Sequence, residues 1–468
     1  MTAVPYSLIC SPMLSVLLRC LALVLGGTLL PLVLAAQTTA APVALPLPNL
    51  SWLDEQLRTS AVLRQHQVGL SLADASTGQT LFGYQDSRYF TPASTTKLLT
   101  LYAGLTLLGT DSLPGLRYVQ RGPDTLLFWG TGDPMLLHGD VPSRRAYEFL
   151  QSRPEKVLLY AQVPMPPAFG PGWSWDDYGY YFQPERSTLP IYGNTVRFYG
   201  RPAPAAPRVL PRFFRPLTAS APGTRPNPAD DHVQRQPEEN RFFVFPSAKA
   251  WVDEVPFRTS PALLLQLLQD TLRRPVLATG PLRLRPTDSV RILRTLPPDS
   301  LYRRMLRVSD NFLAEQLLLL CAATLAPDSL SPARVIRVMQ ANYLRTLPDA
   351  PQWVDGSGLS RLNLFTPRFL TALLVRLHQQ VPEPQLLSLL AAGGGQGTLR
   401  RGYLGGKTGP WLWGKTGTLT NNHNLAGYLR TRSGRLLAFS FFNNNYVVPT
   451  REIRREMERL LTRVRDEL

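Results

Sequence analysis

Apolar and polar positions follow the period of β-strands near both ends of the chain. Close to the start, the segment VGLSLADASTGQTLFGY contains two such runs, separated by a turn at 76–78. Close to the end, residues 425–431 and 436–443 are apolar and β-prone, and the short turn between them predicts a hairpin. The closing segment TREIRREMERLLTRVRDEL has a helical period instead, with its apolar residues on one face. The residues of that face are Ile453, Met457, Leu460, Leu461 and Val464.

These patterns predict one antiparallel sheet built from both ends of the chain, with two N-terminal and three C-terminal strands. Terminal helices would flank it, and Ser51 is expected to cap the first of them. A long helix is expected from about Ser94 to Leu108, and residues 261–387 are mostly helical by pattern. The fold class is therefore α+β, a five-stranded antiparallel sheet with flanking helices and a helical lobe.

The middle of the chain does not fit that lobe. Residues 119–259 are rich in proline, tryptophan and tyrosine, and they contain short β-prone runs at 157–160, 195–199 and 242–245. We interpret them as a β-rich inserted region that divides into two subdomains. Residues 51–118 and 260–468 would then form one discontinuous domain.

The N-terminus has the pattern of an export signal. An uncharged apolar run over 20–36 follows Arg19 and ends in small residues, which predicts a signal peptide over 1–36 with cleavage near Ala36. A Pro/Ala-rich linker over 37–50 would follow. Met13 is an alternative start, and an uncleaved anchor is an alternative to cleavage, although the run is short for a span of about 20 residues. Export predicts a periplasmic location.

The charge of the chain changes the list of expected partners. A net charge of +17 favours anionic partners. No zinc-finger spacing and no aromatic RNA-binding signature is present, so nucleic acid is not expected. The first interpretation of this charge is arginine scattered over solvated faces, because charge alone rarely identifies a partner. Where the charge does bind a partner, carboxylates of a cell wall and anionic headgroups at a membrane surface are the expected neighbours of an exported protein. Cys321 alone would remain after cleavage, so no internal disulfide is expected.

The segment TPASTTKLLTLYAGL places Ser94 and Lys97 three residues apart at the start of a helix, within mutual reach. A serine hydroxyl needs an adjacent base to act as a nucleophile. Lysine serves as that base only when neutral, so its pKa must fall from about 10.4 by roughly three units, about 4 kcal/mol. Burial and neighbouring cations lower it in this way. The pair alone is a weak signal.

Two further motifs strengthen the signal. Ser309 and Asn311 belong to an S-D-N sequence at a helix junction, and Lys415, Thr416 and Thr418 belong to a K-T-G-T sequence that leads into the predicted hairpin. S-x-x-K, S-D-N and K-T-G occur in this order in penicillin-binding proteins and class A β-lactamases. Two of only five lysines fall within the motifs.

Longer strings narrow the resemblance. They include PASTTKLLT, GTGDPML, SDNFLAEQL, VDGSGLSRLNLFTP, GGGQGTLRR and GKTGTLTNNHNLAGYL. With them the sequence resembles the D-alanyl-D-alanine carboxypeptidase/endopeptidase family of low-molecular-mass penicillin-binding proteins, which carries a large insertion after the nucleophile helix. The resemblance runs from about Ser51 to the end of the chain. It implies the penicillin-binding-protein/β-lactamase-like transpeptidase fold, peptidoglycan stem peptides as substrates and β-lactam antibiotics as covalent inhibitors.

The resemblance also implies a role for each motif residue. Ser94 would attack the carbonyl between two D-alanines to form an acyl-enzyme, and Lys97 would take its proton. Ser309 would relay a proton to the leaving amine, and Asn311 would bind the substrate backbone and order Lys97.

The K-T-G-T motif would complete the site. The resemblance places Lys415 near the terminal carboxylate of the substrate, with Thr416 and Thr418 as hydroxyl donors. The backbone N–H groups of Ser94 and Thr418 would form the oxyanion hole, worth roughly 3–4 kcal/mol per donor. Neither a metal nor another cofactor is expected.

Two sequence features compete with the K-T-G assignment. Lys407 begins a second K-T-G, but Pro410 soon follows and would break a strand ladder, so Lys415 is preferred. Residues 409–416 match a phosphate-binding G-x-x-x-x-G-K-T pattern. Proline and two tryptophans make that loop unsuited to cradle phosphate, and no helical run follows it.

Other candidates carry less weight. The histidines show no metal-ligand spacing, and a Ser–His–Asp triad around Ser357 has no sequence support. Asp133, Asp176 and Asp177 read as turn residues, with a place beside the cleft as the alternative. A β-lactamase and an idle wall-binding scaffold remain as competing functions. The long insertion argues against the first, and the complete set of motif residues argues against the second.

Overall fold

A computed structural model describes residues 48–109, 112–141, 143–165, 167–225, 231–327, 329–406 and 409–468. The predicted signal peptide and all but the last three residues of the predicted linker lie outside the described residues.

Helices and strands alternate unevenly along the described chain. The α-helices are α1 Ser51–Thr59, α2 Lys97–Leu108, α3 Arg145–Ser152, α4 Pro261–Leu272, α5 Asp299–Arg307, α6 Asn311–Leu325, α7 Pro332–Met339, α8 Pro367–Gln380, α9 Glu383–Leu389 and α10 Thr450–Glu467. The strands are β1 Gln67–Asp74, β2 Thr80–Tyr84, β3 Pro114–Arg121, β4 Thr125–Gly130, β5 Val157–Gln162, β6 Thr195–Gly200, β7 Arg208–Leu210, β8 Thr218–Ser220, β9 Val233–Arg235, β10 Phe242–Val244, β11 Trp251–Pro256, β12 Val276–Pro281, β13 Arg291–Arg294, β14 Ala391–Ala392, β15 Leu412–Leu419, β16 Asn422–Arg430 and β17 Leu436–Asn444.

The two ends of the chain share one antiparallel sheet with the order β14-β15-β16-β17-β1-β2. The predicted set of two N-terminal and three C-terminal strands is confirmed. A sixth strand, the two-residue β14, adds to the edge beyond β15 and was too short to give a sequence pattern. The α+β fold class is likewise confirmed.

Alternation along the strands sends successive side chains to two different cores. Phe439 and Phe441 pack with α1 and α10 on one face of the sheet, and Phe442 packs with α2, α6 and α8 on the other. The apolar face predicted for the last helix is confirmed, because all five of its residues are buried in α10. The cap predicted for the first helix is wrong. Leu50 occupies the N-cap, and the Asn49 side chain accepts the N–H of Ser51 at 3.1 Å.

The inserted region is built from three further sheets, ordered β12-β5-β4-β3-β13, β8-β10-β9 and β11-β6-β7. Its β-rich character is confirmed. The first of these sheets contains strands that begin at Pro114 and end at Arg294, outside the expected limits of 119 and 259. The helical pattern was wrong over β12 and β13, because edge strands with exposed apolar residues lack a clear period. The division into domains stays a prediction.

The helical lobe is organised around α6. Its residues from Asn311 to Ala323 are all buried, as expected for a predominantly apolar helix at the centre of a core. Buried polar side chains of α6 join the lobe to the inserted region. The Gln316 amide donates to the carbonyls of Gly132 and Ser187 at 2.7 and 2.8 Å. No helix within the described ranges is both long and apolar enough to span a membrane.

Candidate active site

Ser94 lies in a single 3₁₀ turn, Ala93–Thr96, that leads directly into α2. The predicted long helix therefore starts as a tighter turn. Lys97 is the first residue of α2, and its side chain is fully buried. Its amine contacts the Ser94 hydroxyl at 2.9 Å, the Asn311 side-chain oxygen at 2.6 Å and the Ser357 carbonyl at 2.6 Å.

These three contacts favour one protonation pattern for a neutral Lys97. A neutral amine has two N–H donors and one lone pair. The Asn311 oxygen and the Ser357 carbonyl only accept, so they take both donors. The lone pair is then left for Ser94, the partner that carries a transferable proton. Burial lowers the pKa of Lys97 to about 8, while the carboxylates of Asp355, Glu315 and Asp310 oppose that shift.

A turn built around Asp355 holds the Ser357 carbonyl under Lys97. The buried Asp355 carboxylate accepts the backbone N–H groups of Gly358 and Ser360 at 2.8 and 2.7 Å. It also accepts the Asn363 amide at 2.8 Å and the Trp173 indole N–H at 2.9 Å. Four hydrogen bonds compensate for burying the carboxylate. The turn therefore holds a fixed conformation beside the nucleophile.

Glycines let two segments approach the nucleophile turn closely. Gly358 has φ +81°, and a Cβ there would lie 1.9 Å from the Ala93 carbonyl oxygen. A Cβ on Gly417 of β15 would lie 2.5 Å from the Pro92 carbonyl and 3.1 Å from the Ser94 nitrogen. Ala93 itself has φ +51°, a strained conformation for a residue with a Cβ. The turn is held from both sides.

The S-D-N motif spans the junction between α5 and α6, as predicted. Asp310 caps α6 by accepting the Leu313 N–H at 3.0 Å. Asn311 donates its side-chain N–H to the Phe182 carbonyl at 2.9 Å, so the inserted region orients the amide that contacts Lys97. Ser309 has φ +65°, and its hydroxyl accepts a hydrogen bond from a buried lysine of β15.

That lysine is Lys415, which is fully buried and donates to the Ser309 hydroxyl at 2.9 Å and the Thr416 carbonyl at 2.6 Å. Burial and the nearby Lys97 hold its pKa well below the usual lysine range. The phosphate-loop interpretation of residues 409–416 is wrong, because this sequence continues through β15 without a following helix. The competing Lys407 lies outside the described residues.

The two threonines of the motif face different partners. Thr416 donates to the Thr398 hydroxyl at 2.9 Å. Thr418 pairs with His423 across β15 and β16, and its hydroxyl lies 2.8 Å from the His423 Nδ1. Burial, Arg454 and Lys415 lower the pKa of His423 to about 3, so this imidazole is neutral at physiological pH.

A cleft of about 1560 Å³ opens over these groups. The predicted site residues that line it are Ser94, Ser309, Asn311, Thr416 and Thr418. Lys97 and Lys415 lie beneath the surface and reach the hydroxyls of Ser94 and Ser309. The inserted region forms one wall through Tyr181 and Phe182. All seven predicted side chains therefore lie in or directly below one cleft, and no metal-binding cluster occurs in the part of the chain that is described.

The other candidate residues from the sequence lie partly in the cleft and partly away from it. Asp176 and Asp177 line the cleft, whereas Asp133 is buried away from it and accepts the Met135 N–H at 3.1 Å as a turn residue. Ser357 contributes its carbonyl to Lys97, and its hydroxyl accepts the Leu359 N–H at 3.4 Å. Its described contacts include no histidine, so the triad interpretation gains no support.

Sequence reasoning missed the buried carboxylates around Lys97. Glu315 accepts the Ser357 N–H at 2.7 Å and lies 3.4 Å from Arg186, and burial raises its pKa. Asp355 holds the turn described above. Both residues lie within strings that carry the family resemblance, SDNFLAEQL and VDGSGLSRLNLFTP. The available signal in the sequence was an acidic residue inside each of these two strings.

The chain is similar to known proteins along most of its length. A carboxypeptidase of Mycobacterium tuberculosis is 28% identical over 397 residues, which cover 80% of this chain and 75% of that protein. Carboxypeptidase DacB of Mycolicibacterium smegmatis is 35% identical over 150 residues, 31% of this chain and 33% of that one. The crystal structure of penicillin-binding protein 4 (DacB) of Haemophilus influenzae has the same fold, with a TM-score of 0.67 and 20% identity over 90% of this chain and 100% of that chain.

The match to a protein family covers two long segments of the chain. The sequence profile of the D-Ala-D-Ala carboxypeptidase 3 (S13) family matches residues 50–208 and 284–464. The family resemblance and the enzyme class predicted from the motifs are thus confirmed, and the enzyme is a D-Ala-D-Ala carboxypeptidase. The chain belongs to the D-Ala-D-Ala carboxypeptidase 3 (S13) family.

Proposed function

We propose that this carboxypeptidase cleaves the D-Ala-D-Ala bond of peptidoglycan stem peptides through an acyl-enzyme on Ser94. Ser94 Oγ forms a bond to the penultimate alanine carbonyl, and its proton passes to neutral Lys97. The C–N bond then breaks and the terminal alanine leaves as an amine. Water attacks the acyl group, releases the shortened peptide and restores the serine. The observation that carries this proposal is the buried Lys97 amine, 2.9 Å from the Ser94 hydroxyl.

The groups around Ser94 and Lys97 each have a role in the remaining steps of the reaction. Ser309, 2.9 Å from Lys415, relays the proton to the leaving amine. Asn311 orders Lys97 and binds the substrate backbone. The backbone N–H groups of Ser94 and Thr418 stabilise the developing oxyanion, and the close approach of Gly417 to the Ser94 nitrogen supports this role.

Substrate recognition depends on the K-T-G-T residues of β15. Lys415, with the hydroxyls of Thr416 and Thr418, binds the terminal carboxylate of the substrate. A β-lactam presents an amide and a carboxylate in the same relation, so it acylates Ser94 and blocks the enzyme. A structure of the Haemophilus influenzae relative is of a β-lactam complex, which supports this expectation. Cross-linked peptides contain a related bond, so the same site supports DD-endopeptidase activity.

The proposal includes the location of the enzyme and its division into domains. The apolar run at 20–36 acts as a cleaved signal peptide and brings the enzyme to the periplasm. Residues 51–118 and 260–468 form the peptidase domain, except for β3, β12 and β13, which share a sheet with strands of the inserted region. The inserted region supplies one wall of the cleft.

The activity is tested with two wall substrates. Purified mature protein is incubated with a stem pentapeptide and with a cross-linked peptide dimer, and released D-alanine and monomer are measured separately. Release from either substrate supports the proposal, and the ratio gives the carboxypeptidase and endopeptidase shares. Rapid hydrolysis of penicillin with no cleavage of either peptide would instead identify a β-lactamase.

The acylation rate is expected to rise with pH. Because Lys97 must be neutral to accept the serine proton, and its pKa is about 8, about a tenth of the enzyme is competent at pH 7. The second-order rate of penicillin acylation should rise about tenfold per pH unit below 8 and level off above it. Stopped-flow labelling between pH 5.5 and 9.5 measures the profile. A rate that falls or stays constant over that range contradicts lysine as the base.

The two K-T-G copies are distinguished by matched substitutions. Lys415→Ala removes the amine that donates to Ser309 and is proposed to bind the substrate carboxylate, a loss of about 3 kcal/mol, so kcat/KM for the pentapeptide should fall about 100-fold. Lys407→Ala removes the same side chain from the other copy and should stay within about twofold of the parent. Steady-state hydrolysis measures both. A larger loss at Lys407 would reverse the assignment.

A further inference from the structure

Five arginines from two neighbouring elements line the active-site cleft. They are Arg400, Arg401, Arg451, Arg454 and Arg455, and we call them the arginine rim. All five side chains are exposed, and none forms an ion pair or hydrogen bond with another residue in the described part of the chain. The rim is therefore a concentrated positive charge without an internal partner.

Two separate elements bring the rim together. Arg400 and Arg401 follow the short 3₁₀ turn Gly397–Leu399, and the other three arginines occupy the first turns of α10. The Glu458 carboxylate of α10 accepts the Tyr403 backbone N–H at 2.6 Å, which fastens the loop to the helix. This acid is thus engaged in holding the two elements together, and it lines the same cleft as the arginines.

The rest of α10 shows a different arrangement. Arg459 pairs with Glu456 at 2.8 Å, and Arg463 pairs with Glu467 at 2.6 Å. Arginines three and four residues apart, such as Arg451 beside Arg454 and Arg455, repel each other and destabilise a helix. The helix thus neutralises its arginines away from the cleft and leaves those that face the cleft unneutralised.

The rim is continuous with the proposed reaction centre. The cleft of about 1560 Å³ is lined by Ser94, Thr418 and the arginine rim together. Arg454 of the rim is close enough to lower the pKa of His423, whose imidazole contacts Thr418. A D-Ala-D-Ala terminus needs only the part near Ser94. The rest of the cleft volume is available to the portion of the substrate that precedes the scissile bond.

We propose that the arginine rim binds anionic oxygen groups of the wall polymer that carries the scissile peptide. Guanidinium groups bind carboxylates and phosphates in bidentate fashion, so either the carboxylates of the peptides or phosphate esters on the polymer supply the ligand. The preferred substrate is then a polymer-bound, polyanionic peptide rather than a free short peptide. This inference rests on the proposed function, because it extends the substrate of the same cleft.

Binding and turnover are measured separately to test it. In the Ser94→Ala background, the affinity for fluorescently labelled, cross-linked wall fragments is measured by anisotropy at several salt concentrations. The triple variant Arg451→Gln, Arg454→Gln, Arg455→Gln should bind about tenfold more weakly and with a shallower salt dependence. In the active enzyme, the same triple should lower kcat/KM for the fragment about tenfold relative to that for a short peptide.

A matched control separates the rim from the general charge of the protein. Arg334, Arg337 and Arg345 are exposed, carry no ion pair among the described residues and lie outside the cleft. Their triple change to glutamine removes the same charge and should alter affinity less than about twofold. Equal losses in both triples would overturn the proposal, as would no loss in either.

Two further sets of binding measurements identify the anion and test whether the ligand is a membrane instead. Fragments with amidated carboxylates, and fragments with or without phosphate esters, show which anion the rim recognises. If the rim triple loses binding to anionic lipid vesicles but not to any wall fragment, the proposal is wrong and the rim contacts membranes. Penicillin labelling of the parent tests the proposed function independently, since the anisotropy measurement needs no turnover.

Discussion

Replacing Ser94 by alanine is expected to abolish covalent labelling by fluorescent penicillin and to lower peptide hydrolysis by at least about 10⁴-fold. The substitution removes the one atom that forms the acyl bond and leaves Lys97 without a proton to accept. Loss of a nucleophile typically removes nearly all of the rate that the whole catalytic group provides. Gel fluorescence after incubation with the drug measures labelling, and D-alanine release measures hydrolysis.

A control serine shows that the loss is specific. Ser152 lies at the exposed end of α3, outside the cleft, and its hydroxyl donates only to the Phe149 carbonyl. Ser152→Ala should label at the parent rate. Equal labelling of the parent and Ser94→Ala would show that another residue carries the acyl group, and mass spectrometry of the labelled peptide would then identify it.

Replacing Gly358 by alanine is expected to damage both stability and acylation. The new Cβ would meet the Ala93 carbonyl at 1.9 Å, and φ +81° is unfavourable for alanine. Left-handed strain of about 1–2 kcal/mol and steric overlap of about 1–3 kcal/mol together lower the free energy of unfolding by about 2–5 kcal/mol. Ala93 precedes the nucleophile, so its displacement should slow acylation about 100-fold.

The hairpin glycine offers a matched control for the backbone effect. Gly434 has φ +90°, and a Cβ there would meet no atom within 4 Å. Gly434→Ala should therefore lose only the strain of about 1–2 kcal/mol and should keep the parent acylation rate. Denaturant unfolding followed by tryptophan fluorescence measures the stabilities. Similar losses of stability, with the parent acylation rate kept in both variants, would contradict the predicted clash between Gly358 and the nucleophile turn.

Local patterns predicted the elements whose burial is one-sided or complete. The strands of the central sheet and the amphipathic α10 were correct because their apolar periods are long and regular. The short elements were harder. Two residues in β14 carry no period, and β12 and β13 expose apolar side chains at a sheet edge, so their sequence resembled a continuation of the helical lobe.

The motif residues were predictable in a similar way, because each motif lies on one turn or strand. Ser94 and Lys97 share a turn, Ser309 and Asn311 share a junction, and Lys415 and Thr418 share a strand. Their grouping in one cleft was an inference from resemblance. The protonation of Lys97 was not predictable in detail, because it depends on acids and carbonyls more than 200 residues away in the chain.

The sequence by itself thus determined the α+β class, the family and the side chains that can carry the chemistry. Only the tertiary structure decided how the base is poised and what surrounds it. Asp355 shapes a turn that brings the Ser357 carbonyl to Lys97, and burial lowers the pKa of Lys97. It also decided that Arg400 and Arg451 line the same cleft as Ser94. Such properties arise from desolvation and from contacts between distant segments, which no local pattern in a single sequence records.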